Sequence, residues 1–178
     1  ELRKTEFEIA LAITAAVESV ADHAQRKNVT LTSETCPGVH VSADRNAIER
    51  VLGKLLRNAI RFTPSGGRVG VRCRMIDGAI NIYVEDTGCG ISTEALVRIG
   101  RPFEQINAPL ENGSKGTGLG LAIARSLAEL HGGSMRLRST ENVGTIVRIR
   151  LPLPPNALKA MARVAHAPAP PTAQSESA

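Results

Sequence analysis

Between Asp44 and Gly67 the chain carries one uninterrupted amphipathic pattern with a marked start and a marked stop. Asp44 is a good N-cap, because its carboxylate can accept from the free N–H groups of a first helical turn. Ile48, Val51, Leu52, Leu55, Leu56 and Ala59 then fall on one stripe at helical spacing. The cluster Thr63-Pro64-Ser65-Gly66-Gly67 ends the helix. A helix this one-sided must bury its stripe against a second layer, and the flanking sequence supplies one.

Downstream, about Arg68–Met75 and Ala79–Asp86 read as strands, joined by Asp77-Gly78, the strongest two-residue hairpin signal. Upstream, Glu8 to Arg26 is Ala-rich, with Ile9, Leu11, Ile13, Val17 and Val20 spaced for a packed helix. Short extended stretches near Val29–Ser33 and Val39–Ser42 flank Pro37-Gly38. A short helix around Thr93–Ile99 leads into Arg101–Lys115, which is polar and aperiodic. A helix from about Leu119 to Leu130 stops at Gly132-Gly133, and strands near Ser134–Ser139 and Gly144–Leu151 follow. This order predicts an α+β two-layer sandwich, a mixed sheet with helices on one face and the other face more exposed. Residues 1–153 are expected to form that domain, and residues 154–178, rich in Pro, Ala and Ser, a disordered tail.

Composition narrows the function classes. At 178 residues the chain fits one domain, since domains most often run about 100–150 residues. With 42% hydrophobic but only 2% aromatic residues, the core must be Val, Leu, Ile and Ala. No apolar run approaches the roughly 18 residues that span a bilayer, and Glu1-Leu2-Arg3-Lys4 lacks a signal-peptide shape. Cys36, Cys73 and Cys89 are scattered, without metal-ligand spacing, which predicts reduced thiols in a cytoplasmic setting. The net charge of +5 comes without basic runs, and one Tyr, three Phe and no Trp leave little for base stacking. Solvated arginines are the expected account, and nucleic acid is not expected as a partner. A phosphate-rich small molecule would still be attracted.

Three segments carry the chemistry. At about 100° per residue, Lys54, Asn58 and Arg61 share a polar flank beside the apolar stripe. An amide between two cations suits Mg²⁺ and phosphate, and a solvated basic face is the alternative. In the strand Ile80–Asp86, alternation gives Asp86 the core-facing side, where a carboxylate must find donors. An adenine amine is one such donor, and Gly88 and Gly90 allow a flat base to approach the backbone. A plain Asp-Thr-Gly turn, or half of an aspartic-protease pair, is the alternative. Gly116-Thr117-Gly118-Leu119-Gly120 opens a helix, where exposed N–H groups and the helix dipole favour an anion, or where a hinge would serve. It is neither a Walker A loop nor a dinucleotide fingerprint.

In order, these segments resemble the N, G1 and G2 boxes of the ATP-binding domain of sensor histidine kinases. That domain's superfamily includes the gyrase ATPase subunit, heat-shock chaperones and MutL repair proteins. Val51 to Thr63 resembles the N box, Asp86 to Ile91 the G1 box, and Pro102-Phe103-Glu104-Gln105 the F box. Gly144-Thr145 matches a late pair that closes the phosphate side. The similarity covers roughly residues 5–153, and the wording after Gly116 is nearest to cell-cycle kinases of the PleC and DivJ type. It implies a Bergerat-type ATP-binding fold that binds ATP with Mg²⁺.

The implied roles follow residue by residue. Asn58 coordinates Mg²⁺, Arg61 contacts phosphate, and Asp86 binds the adenine amine. Gly116, Thr117, Gly118, Leu119 and Gly120 offer backbone donors to the phosphates, with Lys115 nearby. Phe62, Gly88, Gly90, Ile91, Phe103 and Thr145 complete the nucleotide-binding set, and residues between Phe103 and Lys115 form a mobile lid. Lys54 stands where these kinases usually carry a second Asn and where the hydrolytic members place a Glu base. It either touches phosphate or is solvated, and when protonated it cannot act as a base, which argues against an efficient ATPase. Cys89 reads as an ordinary variant, with a redox-sensing thiol beside the nucleotide as the alternative.

His23, His40, His131 and His166 all lack the context of an acceptor histidine. The resemblance therefore implies a catalytic part that donates the ATP γ-phosphoryl to a histidine on a separate dimerisation domain. A response-regulator receiver aspartate takes it next. The alternatives are a pseudokinase module that binds nucleotide without transfer, and a self-sufficient ATPase. The fragment is expected to be monomeric and cytoplasmic, within a homodimeric parent that can be anchored in the inner membrane.

Overall fold

The computed structural model describes residues 2–98 and 120–154. The elements run β1 (Thr5–Glu8), α1 (Ile9–Glu18), α2 (Ala21–Arg26), β2 (Thr30–Glu34), β3 (His40–Ala43), α3 (Arg45–Phe62), β4 (Arg68–Ile76), β5 (Ala79–Asp86), α4 (Thr93–Arg98), α5 (Gly120–Leu130), β6 (Ser134–Thr140) and β7 (Gly144–Pro152). Five strands form a mixed sheet in the order β2-β4-β5-β7-β6, and β1 pairs with β3 in a separate two-stranded ribbon. Only β2 and β4 are parallel in the large sheet, so β3 and α3 together make the crossover between them.

The sheet's two faces divide as the alternation requires. Val69, Val71 and Cys73 of β4, Ile80, Ile82 and Val84 of β5, and Val147, Ile149 and Leu151 of β7 are buried with residues of α1, α3 and α5 in one core. The opposite face carries Arg68, Arg72 and Arg74 on β4 and Arg136 and Arg138 on β6, all exposed. There Arg72 pairs with Glu85, and Arg74 with Glu34. The core is aliphatic. Leu52, Leu56 and Ile60 of α3 are fully buried, each contributing roughly 1.5–3 kcal/mol by leaving water.

Local chemistry sets the ends of these elements. Asp44 caps α3, its Oδ1 accepting from the Ala47 N–H at 3.0 Å and its Oδ2 from the Arg3 N–H at 3.0 Å. Those two backbone donors hold its carboxyl below the usual range. Between β4 and β5, Asp77 and Gly78 both adopt positive φ (49° and 66°), the conformation of a tight I′ hairpin turn. At the end of α5, buried His131 bridges two helices. Its Nε2 accepts from the Asp44 N–H at 3.0 Å, so its Nδ1 donates to the Leu127 carbonyl at 2.7 Å.

Two features differ from the sequence reading. The expected single helix from Glu8 to Arg26 is α1 and α2, broken at Ser19 and Val20. The Ser19 hydroxyl donates to the Ala16 carbonyl at 2.7 Å, giving the backbone a local alternative to the helical ladder. The strand β1 was not foreseen, because four residues with one buried side chain carry too little pattern. Its pairing with β3 comes from the tertiary fold.

Candidate functional site

The end of α3, the turn after β5, the start of α5 and the β6–β7 hairpin converge. Asp86, the last residue of β5, sits between Val69 and Thr145 across the sheet. Its Oδ1 accepts from the Gly88 N–H at 2.9 Å and from the Thr145 N–H at 3.2 Å. Both bonds fall on one oxygen, so Oδ2 keeps its lone pairs for another donor. Burial raises the Asp86 carboxyl above the usual range, and the two N–H donors pull it part of the way back.

The turn that follows is held from two sides. The Cys89 N–H donates to the Phe62 carbonyl at the end of α3 (3.2 Å), and the Cys89 carbonyl accepts from Asn142 in the hairpin (2.7 Å). Gly90 adopts φ +63°, and a Cβ there would collide with the Thr140 carbonyl. Only glycine lets the turn and hairpin approach this closely. Ile91, just beyond, is half-buried. Thr145 is braced in turn, its hydroxyl 2.9 Å from that of Ser139. Burial, then the Asp86 charge, pushes the exposed Cys89 thiol up, and Lys27 opposes this.

On the other side, α5 begins against α3. A Cβ built on Gly120 would lie 3.3 Å from Asn58 Nδ2 and 3.9 Å from Lys54 Cδ. These two side chains, one helical turn apart, therefore face the first residue of α5. Arg61 lies over the Phe62 ring at 5.4 Å. Its Nε is buried without a hydrogen-bond partner among the described residues. A buried guanidinium nitrogen without a partner is costly, and an anion arriving beside it would remove the cost.

Lys54, Asn58, Arg61, Phe62, Asp86, Gly88, Gly90, Ile91, Gly120 and Thr145 are thus gathered on adjoining elements. Phe103, Lys115, Gly116, Thr117, Gly118 and Leu119 lie outside the described residues, as does the expected lid. The sequence reading missed Lys27. Its Nζ donates to the carbonyls of Ile60 (2.9 Å) and Arg61 (2.5 Å), closing the C-terminus of α3 beneath the site. No local pattern announces it, because its partners lie 33 and 34 residues away. Asn142 was missed for the same reason. Among the described residues, no cluster of three or more His, Cys, Asp or Glu could hold a metal, and no helix is long and apolar enough to cross a membrane.

Comparison with known proteins agrees with this fold. Residues 43–155 match the family described as histidine kinase-, DNA gyrase B- and HSP90-like ATPase. The histidine protein kinase DivJ of Caulobacter vibrioides is 42% identical over 154 residues, 86% of this chain but 26% of DivJ. This chain therefore spans about a quarter of that relative's length. The catalytic domain of histidine kinase ThkA, solved free of nucleotide, superposes with a TM-score of 0.75 at 27% identity, covering 86% of this chain and 99% of that one. ThkA has also been solved with the response regulator TrrA, with a TM-score of 0.71 at 25% identity, covering 87% of this chain and 43% of that one. Full-length ShkA, solved with AMPPNP, superposes with a TM-score of 0.73 at 26% identity, covering 86% of this chain and 32% of ShkA. The chain belongs to the histidine kinase-, DNA gyrase B- and HSP90-like ATPase family, as a catalytic domain of the histidine kinase type.

Proposed function

We propose that residues 1–153 bind ATP with Mg²⁺ and present the γ-phosphoryl group to a histidine on a helical dimerisation domain, from which it passes to a response-regulator aspartate. The observation that carries this reading is the pairing of two unlike ends in one site. At one end, Asp86 is fixed through Oδ1 with Oδ2 left to accept, which suits the exocyclic amine of adenine. At the other, Lys54 and Asn58 face the start of α5, and Arg61, three residues on from Asn58, has an Nε without a partner among the described residues. DivJ and ThkA are named as histidine kinases, ShkA carries an ATP analogue, and ThkA is seen with a response regulator. These support the same reading.

In this reading Asp86 accepts from the base and Thr145 backs it. Asn58 offers a neutral amide oxygen, the donor type that hard cations take alongside phosphate oxygens. Bound there, Mg²⁺ would offset charge on the phosphates. Arg61 and Lys54 counter the remaining negative charge, and Gly120 leaves the backbone of α5 open to approach. Phe103, Lys115, Gly116, Thr117, Gly118 and Leu119 are assigned by family resemblance to the lid and phosphate loop. No carboxylate occupies the Lys54 position to activate water, so transfer rests on positioning and waits for the incoming histidine. The tail, 154–178, is assigned no part in it.

Calorimetry with ATP, with and without Mg²⁺, tests the site. Asn58→Ala should lose most of the Mg²⁺-dependent affinity, and Asp86→Asn should lose binding in both conditions. Unchanged affinity in both variants would sink the assignment. Labelled phosphate should also move from ATP to the parent's histidine-bearing domain supplied in trans, with little free phosphate released by this chain alone.

A further inference from the structure

The outer face of the large sheet is neutralised on one half and not on the other. Toward β2 and β4, Arg72 pairs with Glu85, and Arg74 with Glu34. Toward β6 and β7, the alternation that buries Met135, Val147 and Ile149 turns Arg136, Arg138, Arg148 and Arg150 to that same outer face. None of these four side chains makes an ion pair or hydrogen bond among the described residues. Four unanswered cations are nearly the whole net charge of the chain, +5.

Strand register sets the four on three levels. Arg138 lies opposite Ile146, Arg136 directly opposite Arg148, and Arg150 opposite Ser134. Successive levels are about 6.8 Å apart, two residues of an extended strand. Like charges directly opposite one another destabilise a sheet, so the Arg136–Arg148 pair carries a cost that no described residue offsets. Arg136 and Arg138 are exposed, while Arg148 and Arg150 are half-buried.

We propose that this seam between β6 and β7 is a docking surface for an acidic protein segment in extended conformation, with Asp or Glu at three alternate positions. An extended chain repeats its side chains on one face about every 6.8 Å, so the three carboxylates meet Arg138, the Arg136–Arg148 pair and Arg150 in turn. The central carboxylate lies between two guanidinium groups and removes their repulsion. Guanidinium forks match carboxylates in geometry, and the same face already uses that match in Arg72 with Glu85 and Arg74 with Glu34. Nucleic acid fits less well, because base stacking needs exposed rings and the chain's one Tyr, Tyr83, is half-buried on this face. The helices α3 and α5 pack on the opposite side of the sheet. A segment docked here therefore leaves the candidate nucleotide site open, and both can be held at once.

The test measures binding of fluorescein-labelled peptides to the full chain by anisotropy at low salt, where surface charge is least screened. One peptide has seven residues, with glutamate at the second, fourth and sixth positions and threonine elsewhere. The other has the same composition with its glutamates consecutive. The alternating peptide should bind about 10-fold tighter, and Arg136→Gln combined with Arg148→Gln should remove about that much. Arg72→Gln combined with Arg74→Gln should change its affinity by less than about two-fold, since those arginines already have partners. Arg148→Glu places a carboxylate opposite Arg136 and supplies from within what the peptide brings. It should raise the melting temperature by about 2–4 °C while lowering affinity for the alternating peptide about 10-fold, so the loss cannot come from unfolding. Equal affinity for the two peptides, undiminished binding by the R136Q/R148Q protein, or tighter binding to a thymidine octamer or to phosphatidylglycerol vesicles overturns the proposal. A lower melting temperature in Arg148→Glu overturns the claim that the arginine pair stands unanswered.

Discussion

At the Asp86 corner the hydrogen bonds are already made. Two backbone N–H groups fix the carboxylate, α3 and the β6–β7 hairpin hold the turn, and Ser139 backs Thr145. At the α3–α5 face the polar groups are gathered but less engaged. Lys54 and Asn58 face Gly120, and Arg61 Nε finds no partner among the described residues. The difference teaches how one small domain can be both selective and adaptable. In the proposed function, a preorganised acceptor would read a rigid base, and cationic side chains would adjust to phosphates and a metal.

The sharpest way to break that comparison is Asp86→Asn. The amide oxygen can keep both backbone bonds, so the fold should hold, while ATP affinity falls by about 100-fold through loss of a charged acceptor. The same change tests the raised carboxyl. Between the ordinary carboxylate range and its raised value, the folded state holds a proton that the unfolded state has released. Ligand-free stability therefore declines as pH rises through that window, while nucleotide binding improves across it. Urea unfolding and calorimetry over mildly acidic pH should show both slopes, and Asp86→Asn should flatten them.

Next in size is Gly90→Ala, which forces a Cβ into the Thr140 carbonyl and strains a positive φ. A loss of about 2–4 kcal/mol in urea unfolding is expected, because the corner cannot yield. Arg61→Ala probes the looser end. ATP affinity should fall by about 10-fold while adenosine affinity holds, in line with losing one charge-assisted contact. Equal losses for both ligands would erase the proposed division of labour. The smallest effect belongs to Lys27→Met, which frees two carbonyls at the end of α3. It should cost about 1–2 kcal/mol of stability by chemical denaturation.

Much of this fold is written in local chemistry. α3 follows from Asp44, one apolar stripe and a breaker cluster, and the β4–β5 hairpin from Asp77-Gly78. The polar flank of α3 was legible too, since Lys54 and Asn58 lie one helical turn apart. What the sequence hid is non-local. Ser19 interrupts a good helical pattern through a single hydroxyl, and β1 exists because β3 is there to pair with it. Lys27 and Asn142 depend on contacts between distant segments. Periodicity cannot encode such contacts, because it reports which side of an element is apolar and not what lies opposite.

The single parallel pair in the large sheet has a consequence for how the domain comes into being. α3 lies inside the crossover between β2 and β4, so Asn58 and Arg61 reach their places only when that long loop closes. Closing it spends chain entropy before the non-local contacts repay it. Binding competence should therefore appear late in refolding, after the β4–β5 hairpin, and a fluorescent nucleotide would then report completion of the whole topology and not of any one element.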